Sequence, residues 1–317
     1  MTTETLTPER AATGPAAGSL AAATGQKRAR SASFWSKARR RPVYATAAAI
    51  LVAIVALGML GPFAKGVVAD PQQQSLLDRL QPPLSRGQDG TFHLLGTDQL
   101  GRDVFSRLLS GGRVSLTIAG LTMVISGVFG TTLGVIAGYW LGAVDQGVMR
   151  LVDLQQAFPS LLLSIFLLYL LGPSLVNLVL LLAIFSWAGY ARVARAQTLS
   201  LRNQTFVEGA VALGCSDLRV LVRHILPHLL PALVVISVFE FAGVILGEAG
   251  LSFLGLGVQP PESSWGLMLA QGQEYITSGA WWLIAAPATM IFLLTLSANL
   301  SSRWAQELLG TAPGQGR

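Results

Sequence analysis

Few side chains in this chain can do chemistry, and their placement narrows what that chemistry is. Glu240 and Glu248 stand in an otherwise apolar stretch. An ionisable group inside such a stretch is costly, so it must face a partner, water or a pathway. Glu240, near the middle, is the candidate path-lining residue; Glu248, nearer the end, is the better candidate for a structural role. His93, His224 and His228 are the only histidines, and they fall near the aqueous ends of apolar runs. Cys215 is the only cysteine, which excludes an internal disulfide and a CxxC metal site. No nucleophile–base pair is visible, so no residue is assigned a catalytic role and no metal ligand is expected. A phosphate-binding loop needs Gly-Lys-Ser/Thr, and none of Lys27, Lys37 and Lys65 lies in that context.

The elements that hold these residues are apolar and long. The chain has 317 residues, 52% hydrophobic and 12% charged, with a mean hydropathy of +0.55. A water-soluble domain carries about 25% charged residues. The net charge of +6 therefore fits a membrane surface better than nucleic acid, whose partners are rich in charge. A helix crosses the ~30 Å hydrocarbon layer with about 20 apolar residues. Six spans are read: 42–64, 114–144, 158–171, 174–190, 229–251 and 281–300, the third and fourth divided at Gly172-Pro173, which leaves the third short unless it extends back toward Leu154. Trp281-Trp282 is expected at a headgroup interface. The expectation is an all-α membrane protein with six transmembrane helices.

Residues 1–42 read as a polar tail, disordered to about 33, ending in the basic cluster Lys37, Arg39, Arg40 and Arg41 against the first span. That cluster places the N-terminus in the cytoplasm. The loop carrying Arg192, Arg195, Arg202, Arg219 and Arg223 then falls inside as well, as does a tail at 303–317. The external segment 64–113 runs against the rule, with Arg79, Arg86, Arg102, Arg107 and Arg113 beside five aspartates. In the second span Ser126, Gly130, Gly134, Gly138 and Gly142 recur every four residues, which puts them on one helix face for close packing. Gly243 and Gly247 repeat the spacing.

Between the fourth and fifth spans, 207–213 reads as a short helix, with Gly214 in the left-handed cap position. Ser216 or Asp217 is expected to cap a second short helix from Leu218 to about 223, and Pro227 marks entry to the next span. Glu208, Ala210, Gly214 and the element His224-Ile225-Leu226-Pro227 together resemble the EAA signature of ABC-importer permeases. Gly209 and His224 depart from the usual residues there. Gly96-Thr97-Asp98-Gln99-Leu100-Gly101-Arg102-Asp103, Met149-Arg150 with Asp153 and Phe158-Pro159, and Leu251-Ser252-Phe253-Leu254-Gly255 onward to Pro261 are similar to segments of dipeptide, oligopeptide and nickel permeases. The resemblance covers about 35–305.

That resemblance implies the type I ABC-importer permease fold, and the C-type permease subunit beside a homologous B-type permease in a bacterial cell membrane. It also implies two ABC ATPase subunits that bind ATP and Mg, with no cofactor in this chain, and an extracytoplasmic substrate-binding protein. Residues 208–227, including Ser216, Asp217, Leu218, Ile225, Leu226 and Pro227, would couple to an ATPase. Peptide cargo is favoured over nickel, because a path for bare metal would show His, Cys or clustered acids. A secondary transporter would show internal repeats. An intramembrane enzyme would need a partner for Glu240.

Overall fold

The structure is a computed structural model that describes residues 42–61, 69–88 and 90–309. The expected tail at 1–33, the basic cluster at 37–41 and the last residues, 310–317, lie outside the described residues. Ten helices and one two-stranded hairpin are named here: α1 Pro42–Leu60, β1 Ser85–Arg86, β2 Phe92–His93, α2 Val104–Trp140, α3 Gly142–Gln156, α4 Ser160–Leu171, α5 Leu175–Arg202, α6 Thr205–Ala212, α7 Asp217–Val220, α8 Leu226–Phe253, α9 Trp265–Gln273 and α10 Trp282–Leu309. Among the described residues, five helices are long and apolar enough to cross a membrane, and six spans result if the bent pair α3–α4 counts as one.

Helices α2 and α5 form the central seam. A Cβ on Gly130 would land on the Trp187 carbonyl, one on Gly134 on the Ala191 carbonyl, and one on Gly138 2.9 Å from the Thr198 Cβ. The backbones touch because nothing stands between them. In hydrocarbon, where apolar surface gains nothing by leaving lipid, such close packing supplies the attraction between helices. The stripe is shorter than its spacing suggests. α2 ends at Trp140, Leu141 turns with φ 56°, and Gly142 opens α3 with no atom near its missing side chain. The expected repeat at Gly243 also faces open space, and only Gly247 approaches a neighbour, Leu182.

The second span starts ten residues earlier than its apolar run, because Asp103 caps it by accepting from the Ser106 backbone N–H (2.8 Å) and hydroxyl (2.6 Å). The third span differs most from expectation. α4 has 12 residues, about 18 Å, and cannot cross alone. It continues α3 only through an 83° bend at residues 157–159, where Pro159 lacks the N–H that would carry the α3 ladder onward. α3 is held to α5 by Arg195–Asp145 and by Gln155 Nε2 donating to the Phe185 carbonyl (3.1 Å). α10 runs on past the expected end of the sixth span, to Leu309.

At the α2 N-terminal end, residues 69–103 fold into a cap. Asp98 accepts from Arg102 Nε (2.7 Å) and from Arg107, whose other nitrogen donates to Gln271 Oε1 (2.9 Å) on α9. His93 meets Asp103 at 2.9 Å, and the Trp282 indole donates to the Thr97 carbonyl (3.1 Å). Trp282 is therefore a buried clamp, and only Trp281 of the expected interfacial pair is exposed. α9, absent from the sequence reading, starts at Ser264, whose hydroxyl accepts from the Leu267 N–H, and inserts Trp265 against α2. Glu248 sits fully buried beneath it, accepting from Ser115 (2.9 Å) and Ser252 (2.7 Å).

The seam predicts an asymmetry between two glycines of one helix. Gly134→Ala should lower the thermal midpoint of the detergent-purified protein, by an overpacking cost of about 1–3 kcal/mol. Gly120→Ala, which meets nothing within 4 Å, should not lower it. Equal midpoints for the two variants would show that the α2–α5 contact is not tight.

Candidate functional site

The element at 205–227 is built around one backbone corner. α6 ends at Ala212, and Gly214 takes φ +79°. The Cys215 N–H then reaches the Ala210 carbonyl (3.1 Å) and the Gly214 N–H the Val211 carbonyl (2.9 Å). Those two bonds make a Schellman closure, which satisfies carbonyls the helix end leaves free. A side chain on Gly214 would have space, so its requirement is conformational: positive φ costs an L-residue about 1–2 kcal/mol.

After the corner the structure departs from the two-helix reading. Ser216 occupies the N-cap position, but its side chain makes no capping bond. Asp217, the first residue of α7, instead accepts from the Tyr139 hydroxyl at 2.8 Å. α7 does not stop near 223. It widens into a π turn, Leu221–Ile225, and passes straight into α8, with Pro227 in the first turn. The element is thus one short helix folded back against the first turns of a long one. Pro227 lacks the N–H that would continue the backbone ladder, and it sits where the π turn gives way to α8.

The two faces of the element differ. Val207, Ala210, Val220, Leu221 and Ile225 are buried in one cluster with Val135 and Tyr139 of α2 and Ala194 of α5. Leu226 is half-buried against the same cluster. On the open side Leu213 is 88% exposed and Leu218 71%. Glu208, Ser216 and Pro227 are exposed too. Of the residues singled out in the sequence, Ala210 and Ile225 root the element, Gly214 and Asp217 shape and anchor it, and Glu208 and Leu218 face outward. Leu213 was not singled out, although its position directly before the corner glycine forces it to the tip. Beside the element a groove of about 640 Å³ runs between Tyr139, Trp140, Arg202, Glu208, Val211 and Asp217.

Glu240 lies apart from this element. It is half-buried on α8, with its carboxylate against Gly189 of α5. A separate cavity of about 450 Å³ opens near it, between Val193 and Gln197 of α5, Ile236 and Phe239 of α8, and Ser302 and Gln306 of α10.

Comparison with known proteins bears on the whole chain. Residues 130–312 match the family model described as binding-protein-dependent transport system inner membrane component. The di/tripeptide transport system permease of Pseudomonas aeruginosa is 41% identical over 73% of this chain and 76% of that protein. The glutathione transport system permease of Pectobacterium atrosepticum is 36% identical over 84% and 86%. The dipeptide transport system permease of Bacillus subtilis is 33% identical over 87% and 83%. Among solved structures, an inward-facing methionine ABC transporter matches 64% of this chain and 97% of its own, with a TM-score of 0.53 at 16% identity, a likeness of fold.

The corner itself is testable without any partner. Gly214→Pro forces φ to about −65° and should open the closure, so trypsin should cut after Arg219 and Arg223 several-fold faster in detergent-purified protein. An unchanged cleavage rate would show that the positive φ does not hold the element together.

Proposed function

Because the chain belongs to the family of binding-protein-dependent transport system inner membrane components, we propose that it is one of two homologous permease subunits that pass di- and oligopeptides across a bacterial cell membrane. Match to peptide permeases over most of both chains carries this reading. Those relatives are named for peptides, which favours peptide cargo over nickel.

In this reading the partner subunits divide the work. A binding protein delivers cargo from outside, and two ATPases bind ATP and Mg on the inside. The element at 205–227 is the coupling segment, with both chain termini on its side of the membrane. Leu213 and Leu218 are apolar and almost fully exposed at its tip, as residues are that await a protein groove rather than water. Glu208 flanks them, and Gly214 holds the tip's shape. Behind the tip, the Tyr139–Asp217 bond and the buried contacts of Ala210 and Ile225 tie the segment to α2, α5 and α8. A push on the tip is thereby delivered to three spanning helices at once. Closure of the ATPases then rocks the permease pair as rigid bodies between outward- and inward-facing states. Glu240, at mid-span and next in sequence to Phe239 of a mostly apolar cavity, faces the path.

Leu218→Asp tests the docking. Truncating or charging an apolar anchor at the centre of an interface costs about 2 kcal/mol or more, roughly a 30-fold loss in affinity. The ATPases should no longer co-purify with the permeases, and peptide uptake in proteoliposomes should fall at least about tenfold. Wild-type co-purification together with normal uptake would refute the assignment of this element.

A further inference from the structure

Three spanning helices each turn a stripe toward one cavity of about 450 Å³. Val193 and Gln197 stand four apart on α5, and Ser302 and Gln306 four apart on α10, a spacing that puts each pair on one helix face. α8 supplies Ala232, Val235, Ile236 and Phe239, which share one face by the same periodicity. Gln197 is five residues from the end of α5, and Ala232 six from the start of α8. The cavity therefore lies in the half of the bundle next to the corner element.

Its lining is apolar except at three groups, and one of those is committed. The buried Ser302 hydroxyl donates to the Val235 carbonyl (3.1 Å), which holds α10 against α8. The other two are the carboxamides of Gln197 and Gln306, half-buried on separate walls. Among the described residues, no charged side chain, histidine or cysteine lines the cavity. That limits its ligand. A phosphate headgroup calls for Arg or Lys, and a bare divalent metal for carboxylate, imidazole or thiolate. A carboxamide offers two donors, an acceptor and no charge. It complements a backbone amide, which has one donor and one acceptor. The volume falls in the range of about 300–1,000 Å³ usual for small-molecule sites.

We propose that this cavity is a transit site for the backbone of a peptide, Gln197 and Gln306 exchanging hydrogen bonds with its amides while the apolar wall takes its side chains. The inference rests on the reading of the chain as a peptide permease. Every peptide, whatever its side chains, carries amides that lose water on entering an apolar layer. Each such group left unbonded is costly. Neutral carboxamides replace that water without selecting cargo by charge. Two neutral hydrogen bonds also hold cargo loosely enough for it to leave, as passage requires.

The test uses the whole transporter, both permeases, both ATPases and the binding protein, in proteoliposomes with cargo at saturation. Radiolabelled trialanine is compared with its depsipeptide analogue, in which ester oxygens replace the backbone N–H groups. The wild type should take up trialanine several-fold faster. Gln197→Leu and Gln306→Leu keep most of the side-chain bulk and remove the carboxamide. Each should lower trialanine uptake about tenfold, the effect of roughly one net hydrogen bond, with the ATPases still co-purifying. The ester analogue should lose less, so the preference for the amide narrows several-fold. Equal rates for amide and ester in the wild type would overturn the proposal, since no N–H would then be read. An equal fall of both compounds in the variants, or loss of the ATPases from them, would overturn it by making the glutamines structural. Unchanged trialanine uptake in both variants would overturn it too, and is the result expected if a lipid chain fills the cavity. A wild-type transporter that takes up neither compound would instead refute the peptide reading itself.

Discussion

Backbone contact between α2 and α5 is the constraint on which the rest of the structure hangs. Gly130, Gly134 and Gly138 leave no side chain in the seam, and the facing carbonyls of Trp187 and Ala191 fill the space. Two helices held at that distance cannot slide without a clash. α2 carries Tyr139 to the corner element, where it anchors Asp217. α5 carries Arg195, which ties down α3 through Asp145, and Gly189, against which the Glu240 carboxylate of α8 lies. Moving the seam would therefore move the corner element together with the contacts that α5 makes to α3 and α8.

The far end of the bundle is fixed by charge rather than by close packing. Asp98 gathers Arg102, Arg107 and two backbone N–H groups, and Arg107 passes the connection to α9 through Gln271. Arg107 and Asp98 are almost fully buried. Breaking such a pair by removing one partner typically costs about 3–5 kcal/mol, so the cap is committed to one arrangement. It also accounts for arginines on a segment expected outside the cytoplasm: Arg102 and Arg107 are partners in a folded cap.

Much of this was legible in the sequence because the signals were long-range in pattern and local in cause. Apolar runs of more than 20 residues announced the spans, four-residue glycine spacing announced the seam, and Gly214 followed by Ser216-Asp217 announced the corner. Other features depended on partners that a linear reading does not supply. Asp103 caps α2, which put its start ten residues before the apolar run. Ser216 looked like a cap, but α7 continues into α8 and the anchoring bond goes from Asp217 to a tyrosine far upstream. The third span needs α3 as well as α4, across an 83° bend at residues 157–159, and the charges of α3 (Asp145, Arg150 and Asp153) kept it out of the apolar run. α9 was missed because nine residues between two spans carry no strong period, although Ser264 before Trp265 was a capping signal. The pairing of Arg192 with Asp153 joins positions 39 residues apart and had no local trace.

Sidedness is the most direct test of the central claim, that the seam presents the corner element to the cytoplasm and the cap to the exterior. In a Cys215→Ser background, single cysteines would replace Leu218 at the corner and Phe92 in the cap, both exposed. A membrane-impermeant maleimide added to intact cells should label position 92 and leave 218 untouched until the membrane is opened. Labelling of 218 from outside, with 92 protected, would contradict the account.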